Sequence, residues 1–345
     1  MNHVLNQSQL SSLSRTVRLG FLGVGWIGRH RMNAILQTGV AEAVAIAEPD
    51  PDMAREALAL APGAARVDDL DALLAMDLDG VVIATPSALH AEQSIRVLQN
   101  GKAVFCQKPL GRSAAEVSDV IEAARVADRL LAVDLSYRFT QALQKVREQI
   151  SAGVLGEIFA VDLVFHNAYG PDKPWFYDKA QSGGGCVMDL GVHLVDAALW
   201  SLGFPPVLEV ESHLLSGGLP IGAESDKIED YAVATLKLES GTVIRLACSW
   251  RLPAGQDAVI SADFYGTGGG ASMRNINGSF YDFRADLCHG TSRQELVAPP
   301  DEWGGRAAAD WAERLARQPG FDAAAERLLD VAEVIDRIYG RYSTA

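Results

Sequence analysis

Three polar residues share one otherwise apolar segment, GGGCVMDLGVHLVDAALW, in which Asp189, His193 and Asp196 are spaced by four and three positions. In an α-helix this spacing places the three side chains on one face. An imidazole beside a carboxylate can take a proton from an alcohol. A metal site that includes Cys186 is less favoured because no second histidine is near, and a solvated polar stripe on an amphipathic helix is the other alternative.

A lysine ends another apolar run, KAVFCQKP, in which Pro109 disfavours helical geometry at Lys108 and ends the strand. An ammonium group at a strand end can donate a hydrogen bond to a substrate oxygen and stabilise alkoxide-like charge during hydride transfer. The alternative is a lysine that only reaches from the strand end into solvent. We therefore expect Lys108, Asp189 and His193 to be catalytic, and no metal to be required.

A glycine-rich motif, GVGWIG, follows the apolar run VRLGFL and opens a helical segment. Its first glycine permits a tight turn, its second lets a pyrophosphate approach the backbone, and its third allows close helix packing. Glu48 ends the next apolar run, where a carboxylate accepts hydrogen bonds from ribose hydroxyls. We expect NAD as the cofactor and favour NADP less, because the PDPD that follows holds no cation, although Arg29 or Arg55 could still reach a 2′-phosphate.

Other candidate residues also stand at the ends of apolar runs, because ligands of parallel sheets bind beyond the carboxyl ends of the strands. His90 is equally compatible with a surface position on a first helical turn. The predicted cofactor-binding residues are Gly23, Gly25, Trp26, Ile27, Gly28, Glu48, Thr85, Pro86, His90 and Gln107. The predicted substrate-binding residues are Tyr137, Arg138, His166, Asn167 and Tyr169.

The elements that must position these residues differ between the two halves of the chain. From Val17 to about Phe139, continuously apolar runs alternate with helix-period segments, which predicts a doubly wound parallel sheet. Later strands alternate in polarity at hairpin spacing and predict a large, mostly antiparallel open sheet. We predict an α/β protein with a Rossmann domain (1–139) and an α/β domain for substrate binding and oligomerisation (140–345), whose last helix packs back toward the body.

Composition limits the partners and the location of the protein. The 345 residues carry a formal net charge of -14, so nucleic acid and anionic membranes are poor partners. Four widely spaced cysteines are typical of reduced thiols, the N-terminal residues lack the apolar centre of a signal peptide, and no uninterrupted apolar run reaches membrane-spanning length. We expect a cytoplasmic protein whose subunits associate through the open sheet.

Taken together, the sequence resembles the oxidoreductases related to glucose-fructose oxidoreductase, inositol 2-dehydrogenase and the MocA rhizopine-catabolism protein. The resemblance rests on the glycine motif, TPSALH, NGKAVFCQKPL, YRF, a tryptophan followed by GGG, and DLGVHLVD. It implies a homodimer or homotetramer that acts on a carbohydrate-like small molecule, with NAD(H)-dependent hydride transfer to or from a sugar, an inositol-like polyol or a sugar acid. In that reaction Lys108 would contact the substrate, with His193 as general base and Asp189 as its partner. Gln107 departs from the glutamate that the family has before the lysine.

Two other functions stay open. Similar folds catalyse NAD-dependent glycoside cleavage by transient oxidation and elimination, and a non-catalytic NAD-sensing regulator could use the same scaffold. The set of Lys108, Asp189 and His193 favours catalysis, whereas Gln107 favours the regulator.

Overall fold

A six-stranded parallel sheet forms the first part of the structure, a computed structural model that describes residues 16–222 and 225–341. Helices cover both of its faces, so its central strands are buried along their length. The strand order is β3-β2-β1-β4-β5-β6, and it reverses between β1 and β4, which is where ligands bind in such sheets. The strands are Val17–Leu22 (β1), Ala41–Ala47 (β2), Ala65–Val67 (β3), Gly80–Ile83 (β4), Ala103–Cys106 (β5) and Leu131–Val133 (β6).

Five helices connect these strands, and their N-termini differ in a way that bears on ligand binding. They are Trp26–Gln37 (α1), Pro51–Leu60 (α2), Leu70–Leu74 (α3), Ser87–Gln99 (α4) and Ala114–Ala127 (α5). Side chains of Asp50, Asp69 and Ser113 cap α2, α3 and α5. The helices that follow β1 and β4 have no side-chain cap, so their first N–H groups point at the reversal of strand order without a side-chain partner.

A nine-stranded sheet forms the second part, in the order β15-β14-β13-β12-β7-β11-β10-β8-β9. Only β7 and β11 are parallel neighbours, and the remaining pairs are antiparallel. One face packs on helices and the other is open. The strands are Ile158–Asn167 (β7), Val207–Ser216 (β8), Leu219–Ile221 (β9), Tyr231–Leu238 (β10), Val243–Ser249 (β11), Ala258–Gly266 (β12), Gly270–Asn275 (β13), Phe283–His289 (β14) and Ser292–Val297 (β15).

The helices of the second part include one irregular turn. They are Gln141–Ser151 (α6), Lys179–Ser182 (α7), Val192–Leu202 (α8), Arg306–Arg317 (α9) and Arg327–Ile338 (α10), with 3₁₀ turns at Ser136–Phe139, Pro174–Tyr177 and Ala323–Glu326. A π-helical turn, Val187–Gly191, runs directly into α8, and its first carbonyl accepts a hydrogen bond from the amide of Val192. Turns of this kind concentrate at functional sites.

The predicted α/β class, with a doubly wound sheet and a large, mostly antiparallel sheet, is confirmed. Two details differ. The run LLAVDLSYRF is not one strand, because β6 ends at Val133 and a 3₁₀ turn follows. The short elements β3, β9 and α3, the strand β15 and the helix α9 were not predicted; the first three are too short to show a period.

Helix α9 returns the chain to the first sheet. Its Trp311 is completely buried against Phe105 of β5, with ring centroids 5.7 Å apart, and lies over Gly80 of β4. Helix α10 then packs between the two halves, with Leu328 in the first core and Ile335 in the second. We therefore propose that the first domain comprises about residues 17–139 together with α9, and that the second domain lies between them.

One described segment, Lys179–Leu202, is long and apolar enough to cross a membrane by length and composition. It is not an uninterrupted apolar run, because Lys179, Asp189 and Asp196 lie within it. Within the fold, 83% of its most apolar window is buried, which is typical of a core helix.

Replacing Trp311 tests the proposed return of the chain. We expect Trp311→Ala to lower the free energy of unfolding by about 3–5 kcal/mol, because it leaves a cavity in the core of the first sheet. Urea denaturation measures this, with Val126→Ala as a control because Val126 is 77% exposed. Equal stability of both variants would show that α9 is not part of that core.

Candidate active site

The glycine motif has the geometry of a dinucleotide cradle. Gly23 has φ +80° and a Cβ there would lie 2.7 Å from the carbonyl oxygen of Ala84, and a Cβ at Gly28 would lie 2.2 Å from that of Gly23. At Gly25, by contrast, a Cβ would meet only Met53 Sδ at 3.7 Å. Packing thus requires the first and third glycines, while the second leaves space beside the uncapped start of α1. These residues fit a pyrophosphate.

Glu48 lies at the carboxyl end of β2 beside this cradle and is 8% exposed. Its Oε2 accepts a hydrogen bond from the amide of Val24 at 2.8 Å, and its Oε1 accepts one from that of Asp50 at 3.0 Å. A carboxylate has about four acceptor positions, so two remain for ribose hydroxyls.

The cations near Glu48 bear on the choice between NAD and NADP. Arg29 pairs with Glu56 at 2.6 Å, and Arg55 pairs with Asp52 at the same distance. Both guanidinium groups therefore already have a carboxylate partner. Arg66 of β3, which was not considered from the sequence, donates to the carbonyl of the glutamate at 3.3 Å.

Lys108 and Asp189 join the two halves of the molecule. Lys108 Nζ donates to Asp189 Oδ1 at 2.6 Å and to the carbonyl oxygen of the same residue at 2.7 Å. The two side chains are 18% and 16% exposed. An ammonium group has three N–H donors, so one remains for a ligand. Trp250, at the end of β11, donates its Nε1–H to Asp189 Oδ2 at 3.0 Å and holds the other carboxylate oxygen.

His193 lies in the first turn of α8, with its ring centroid 4.9 Å from that of Tyr137. Burial lowers the pKa of His193 well below its usual value, and the charges of Lys108 and Arg31 lower it further. The imidazole is therefore neutral at neutral pH and able to accept a proton. Its Nδ1 is buried without a hydrogen-bond partner in the described part of the chain, whereas Nε2 is not enclosed in this way.

The predicted pairing of Asp189 with His193 is not formed. The spacing argument assumed a regular α-helix, but Asp189 lies in the π-helical turn, and its carboxylate contacts Lys108 and Trp250 instead. Asp196 also points elsewhere: both of its carboxylate oxygens accept hydrogen bonds from the guanidinium of Arg138. The pair uses Nε and Nη2 of Arg138, and a guanidinium has further N–H donors at Nη1, so substrate binding by Arg138 stays a prediction.

Gln107 belongs to a buried network beneath Lys108. Its Nε2 donates to Asp134 Oδ2 at 2.5 Å, and Arg31 Nε donates to the same oxygen at 2.6 Å. Asp134 is 1% exposed, and its Oδ1 has no hydrogen-bond partner among the described residues. One carboxylate and one guanidinium balance in charge, so an amide is the side chain that this position requires.

His90 is not a surface residue and does not face the cradle. It is 1% exposed, with Nδ1 2.6 Å from the carbonyl oxygen of Pro109 and Nε2 2.7 Å from that of Thr85. Its predicted contact with the cofactor is therefore wrong, because the buried ring lies between carbonyl groups of the loops that follow β4 and β5. Thr85 and Pro86 remain at the cradle, where Pro86 precedes α4.

The motif's remaining side chains and the loop after β7 have different surroundings. Trp26 is 59% exposed and stacks on His30, and Ile27 is half-buried. Asn167 Oδ1 accepts from the amide of Tyr169, whose hydroxyl donates to Asp257 at 2.5 Å. These hydrogen bonds fix the conformation of the loop, and neither of them involves Lys108. Substrate binding by Asn167 and Tyr169 stays a prediction.

His166 was predicted to bind substrate, yet it lies on the open face of the second sheet. The preceding residue, Phe165, packs in the core against Tyr137, and successive strand residues face opposite sides. His166 accordingly stacks on Tyr231, and its Nδ1 lies 2.8 Å from Ser249 Oγ. The prediction was wrong because the side-chain alternation along the strand was not applied to it.

Two tryptophans of the site were missed. Trp250 holds Asp189, and Trp303 packs on Tyr137 with ring centroids 5.1 Å apart. Both follow strands of the second sheet at large sequence separation from their partners, so no local spacing relates them. A tryptophan directly after a strand, as in CSWR, is the one signal that could have suggested Trp250.

Replacing Gln107 by glutamate tests the charge balance. A second carboxylate beside Asp134 raises the pKa of the pair, so Gln107→Glu should lower the free energy of unfolding by about 1–3 kcal/mol near pH 8. Because protonation relieves the repulsion, the deficit should shrink toward about pH 6. Urea denaturation at both values measures it, with the exposed Gln144→Glu as control. A deficit that is independent of pH would contradict the proposed network.

Comparisons with known proteins agree with this geometry. Residues 17–135 match the family described as "Oxidoreductase family, NAD-binding Rossmann fold", and residues 143–272 match the "GFO/IDH/MocA C-terminal domain". An inositol 2-dehydrogenase of Rhizobium meliloti (strain 1021) is 31% identical over 261 residues, which are 75% of this chain and 76% of that protein. A D-glucoside 3-dehydrogenase of Escherichia coli (strain K12) is 31% identical over 233 residues, 63% of this chain and 66% of that protein.

The fold is also that of solved structures. A levoglucosan dehydrogenase in complex with NADH and levoglucosan superposes with a TM-score of 0.80 over 95% of this chain and 97% of the other, at 20% sequence identity. At that identity the likeness concerns the fold alone. The two family matches, together with the cradle at Gly23, lead to one conclusion. This chain belongs to the GFO/IDH/MocA family of NAD-binding oxidoreductases.

Proposed function

We propose that this oxidoreductase transfers a hydride between NAD(H) and a hydroxyl or carbonyl group of a sugar, an inositol-like polyol or a sugar acid. The observation that carries the proposal is the Lys108–Asp189 pair, which keeps one ammonium N–H free next to the neutral His193. The relatives named for inositol, glucoside and levoglucosan oxidation support the substrate class.

In the oxidative direction, the substrate hydroxyl lies between Lys108 and His193. His193 accepts the hydroxyl proton, for which its lowered pKa keeps the imidazole neutral. Lys108 donates its remaining N–H to the same oxygen and stabilises the negative charge that develops there. Asp189 does not take the proton; it fixes the direction of the ammonium group by accepting two of its three hydrogen bonds.

When bound, NAD⁺ would supply the hydride acceptor, so that an alcohol and NAD⁺ would yield a carbonyl compound, NADH and one proton. Gly23, Gly25 and Gly28 would hold its pyrophosphate, and Glu48 its adenosine ribose. The ion pairs of Arg29 and Arg55 with neighbouring carboxylates support the preference for NAD over NADP.

NADH formation across a panel of inositols, aldoses and sugar acids tests this proposal. We expect Lys108→Met and His193→Asn each to lower kcat by about 100-fold or more, because each removes a group that acts on the reacting oxygen. Cofactor affinity, measured by quenching of tryptophan fluorescence, should stay unchanged.

Matched controls are Lys145→Met and His213→Asn, whose side chains are 44% and 71% exposed. Full activity of the Lys108 and His193 variants would contradict the assigned roles.

Two outcomes of the same assays would favour another function. Release of an aglycone from an aryl glycoside without net NADH would point to elimination after transient oxidation. Tight NAD binding without any turnover would point to a regulator.

Self-association through the open face of the second sheet is part of the same proposal. This face carries the half-buried Val164 and the partly exposed Val243 and Tyr265 between ion pairs such as Asp162–Arg245. A sheet face that combines apolar side chains with paired charges suits a symmetric contact with a second copy. The cytoplasmic location remains a proposal, supported by four cysteines without a disulfide.

Sedimentation over a range of concentrations measures the association. We expect a dimer or tetramer for the unaltered chain, and a shift toward the monomer for Val164→Asp, which places a charge at the centre of the face. A monomer at every concentration would contradict this contact.

A further inference from the structure

The helical segment that carries Asp189 begins with N–H groups that are satisfied from another part of the chain. Glu229, which precedes β10 and is 2% exposed, accepts hydrogen bonds at Oε1 from the amides of Gly185 and Val187, at 2.8 and 3.0 Å. Its carbonyl oxygen accepts a third from the amide of Cys186 at 3.1 Å.

Tyr339, at the end of α10, completes this arrangement. Its hydroxyl accepts a hydrogen bond from the amide of Met188 at 3.1 Å and donates one to Glu229 Oε1 at 2.7 Å. The first N–H groups of a helix have no partner within the helix. Here all four amides from 185 to 188 bond to Glu229 and Tyr339, which form what we term the remote cap.

The remote cap explains two glycines of the GGGC motif that cofactor binding does not explain. A Cβ at Gly184 would lie 2.0 Å from Tyr339 Oη, and a Cβ at Gly185 would lie 2.0 Å from the carbonyl oxygen of Glu229. Any side chain at either position would displace the capping residue. The absence of a side chain at these two glycines therefore leaves the space that the remote cap occupies.

Asp189 is the first residue beyond the remote cap. Its amide donates to the carbonyl oxygen of Gly185 at 3.0 Å, so a shift of the capped turn moves Asp189 with it. Both Lys108 and Trp250 bond to Asp189 and would follow. A small displacement of this kind lowers the rate of a reaction that needs aligned groups.

We propose that Glu229 and Tyr339 are positioning residues, which set the direction of the Lys108 ammonium group through the turn that carries Asp189. The consequence for turnover rests on the proposed function. The effect on Asp189 itself does not, and it is measurable without any substrate.

The indole N–H of Trp250 reports the position of Asp189, since it donates to that carboxylate. The chain has six tryptophans, so an ¹⁵N-tryptophan spectrum holds few indole signals, and Trp250→Phe assigns the relevant one. We expect Tyr339→Phe to shift this signal and to speed its exchange with solvent. Ile338→Val, a packing change in the same helix at a residue that is 1% exposed, should lower thermal stability but leave the signal in place.

Kinetics provide the second readout. Tyr339→Phe should lower kcat by about 10-fold while the KM for NAD stays unchanged. Glu229→Gln keeps the acceptor oxygen and should retain more activity than Glu229→Ala. A Trp250 signal that does not move in Tyr339→Phe, or that moves equally in Ile338→Val, would overturn the proposal. An unaltered chain that forms no NADH would instead count against the proposed function, because the spectrum does not depend on turnover.

Discussion

The contact between Lys108 and Asp189 is the interaction on which the site depends. It joins the end of a strand in the parallel sheet to a turn that packs on the antiparallel sheet, so neither half of the chain has the site alone. A partly buried ion pair of this kind is costly unless its remaining hydrogen bonds are made. Trp250 makes one of them, and in the proposed mechanism the third N–H of the ammonium group binds the substrate.

The π-helical turn gives this contact its geometry. In a regular α-helix, the carbonyl of Asp189 would accept the amide of His193, and the two side chains would lie one turn apart. Instead Lys108 reaches both the carbonyl and the carboxylate, and His193 packs against Tyr137. In the proposed mechanism, the proton acceptor and the charge-stabilising group are therefore separate side chains with separate partners, which suits a reaction in which both act on one oxygen.

The parts that were predictable from sequence follow local rules. Glycine spacing at Gly23, continuously apolar strands, and a lysine before a proline identify the cradle, the parallel sheet and Lys108 without any knowledge of distant contacts. The errors arise where distant residues decide. Asp189 contacts Lys108 and not His193, His90 lies between two carbonyl groups, and His166 lies on the far face of a sheet. Trp250 and Trp311 act across large sequence separations, which spacing does not reveal.

A double-mutant cycle on the Lys108–Asp189 contact tests the account most directly. It compares kcat for Lys108→Met, Asp189→Asn and the variant with both changes. If Asp189 acts by holding the ammonium group, the second change should cost little once the first is made, so the two effects should be far from additive. Fully additive effects would show that the two residues act independently and would contradict the central role given to their contact.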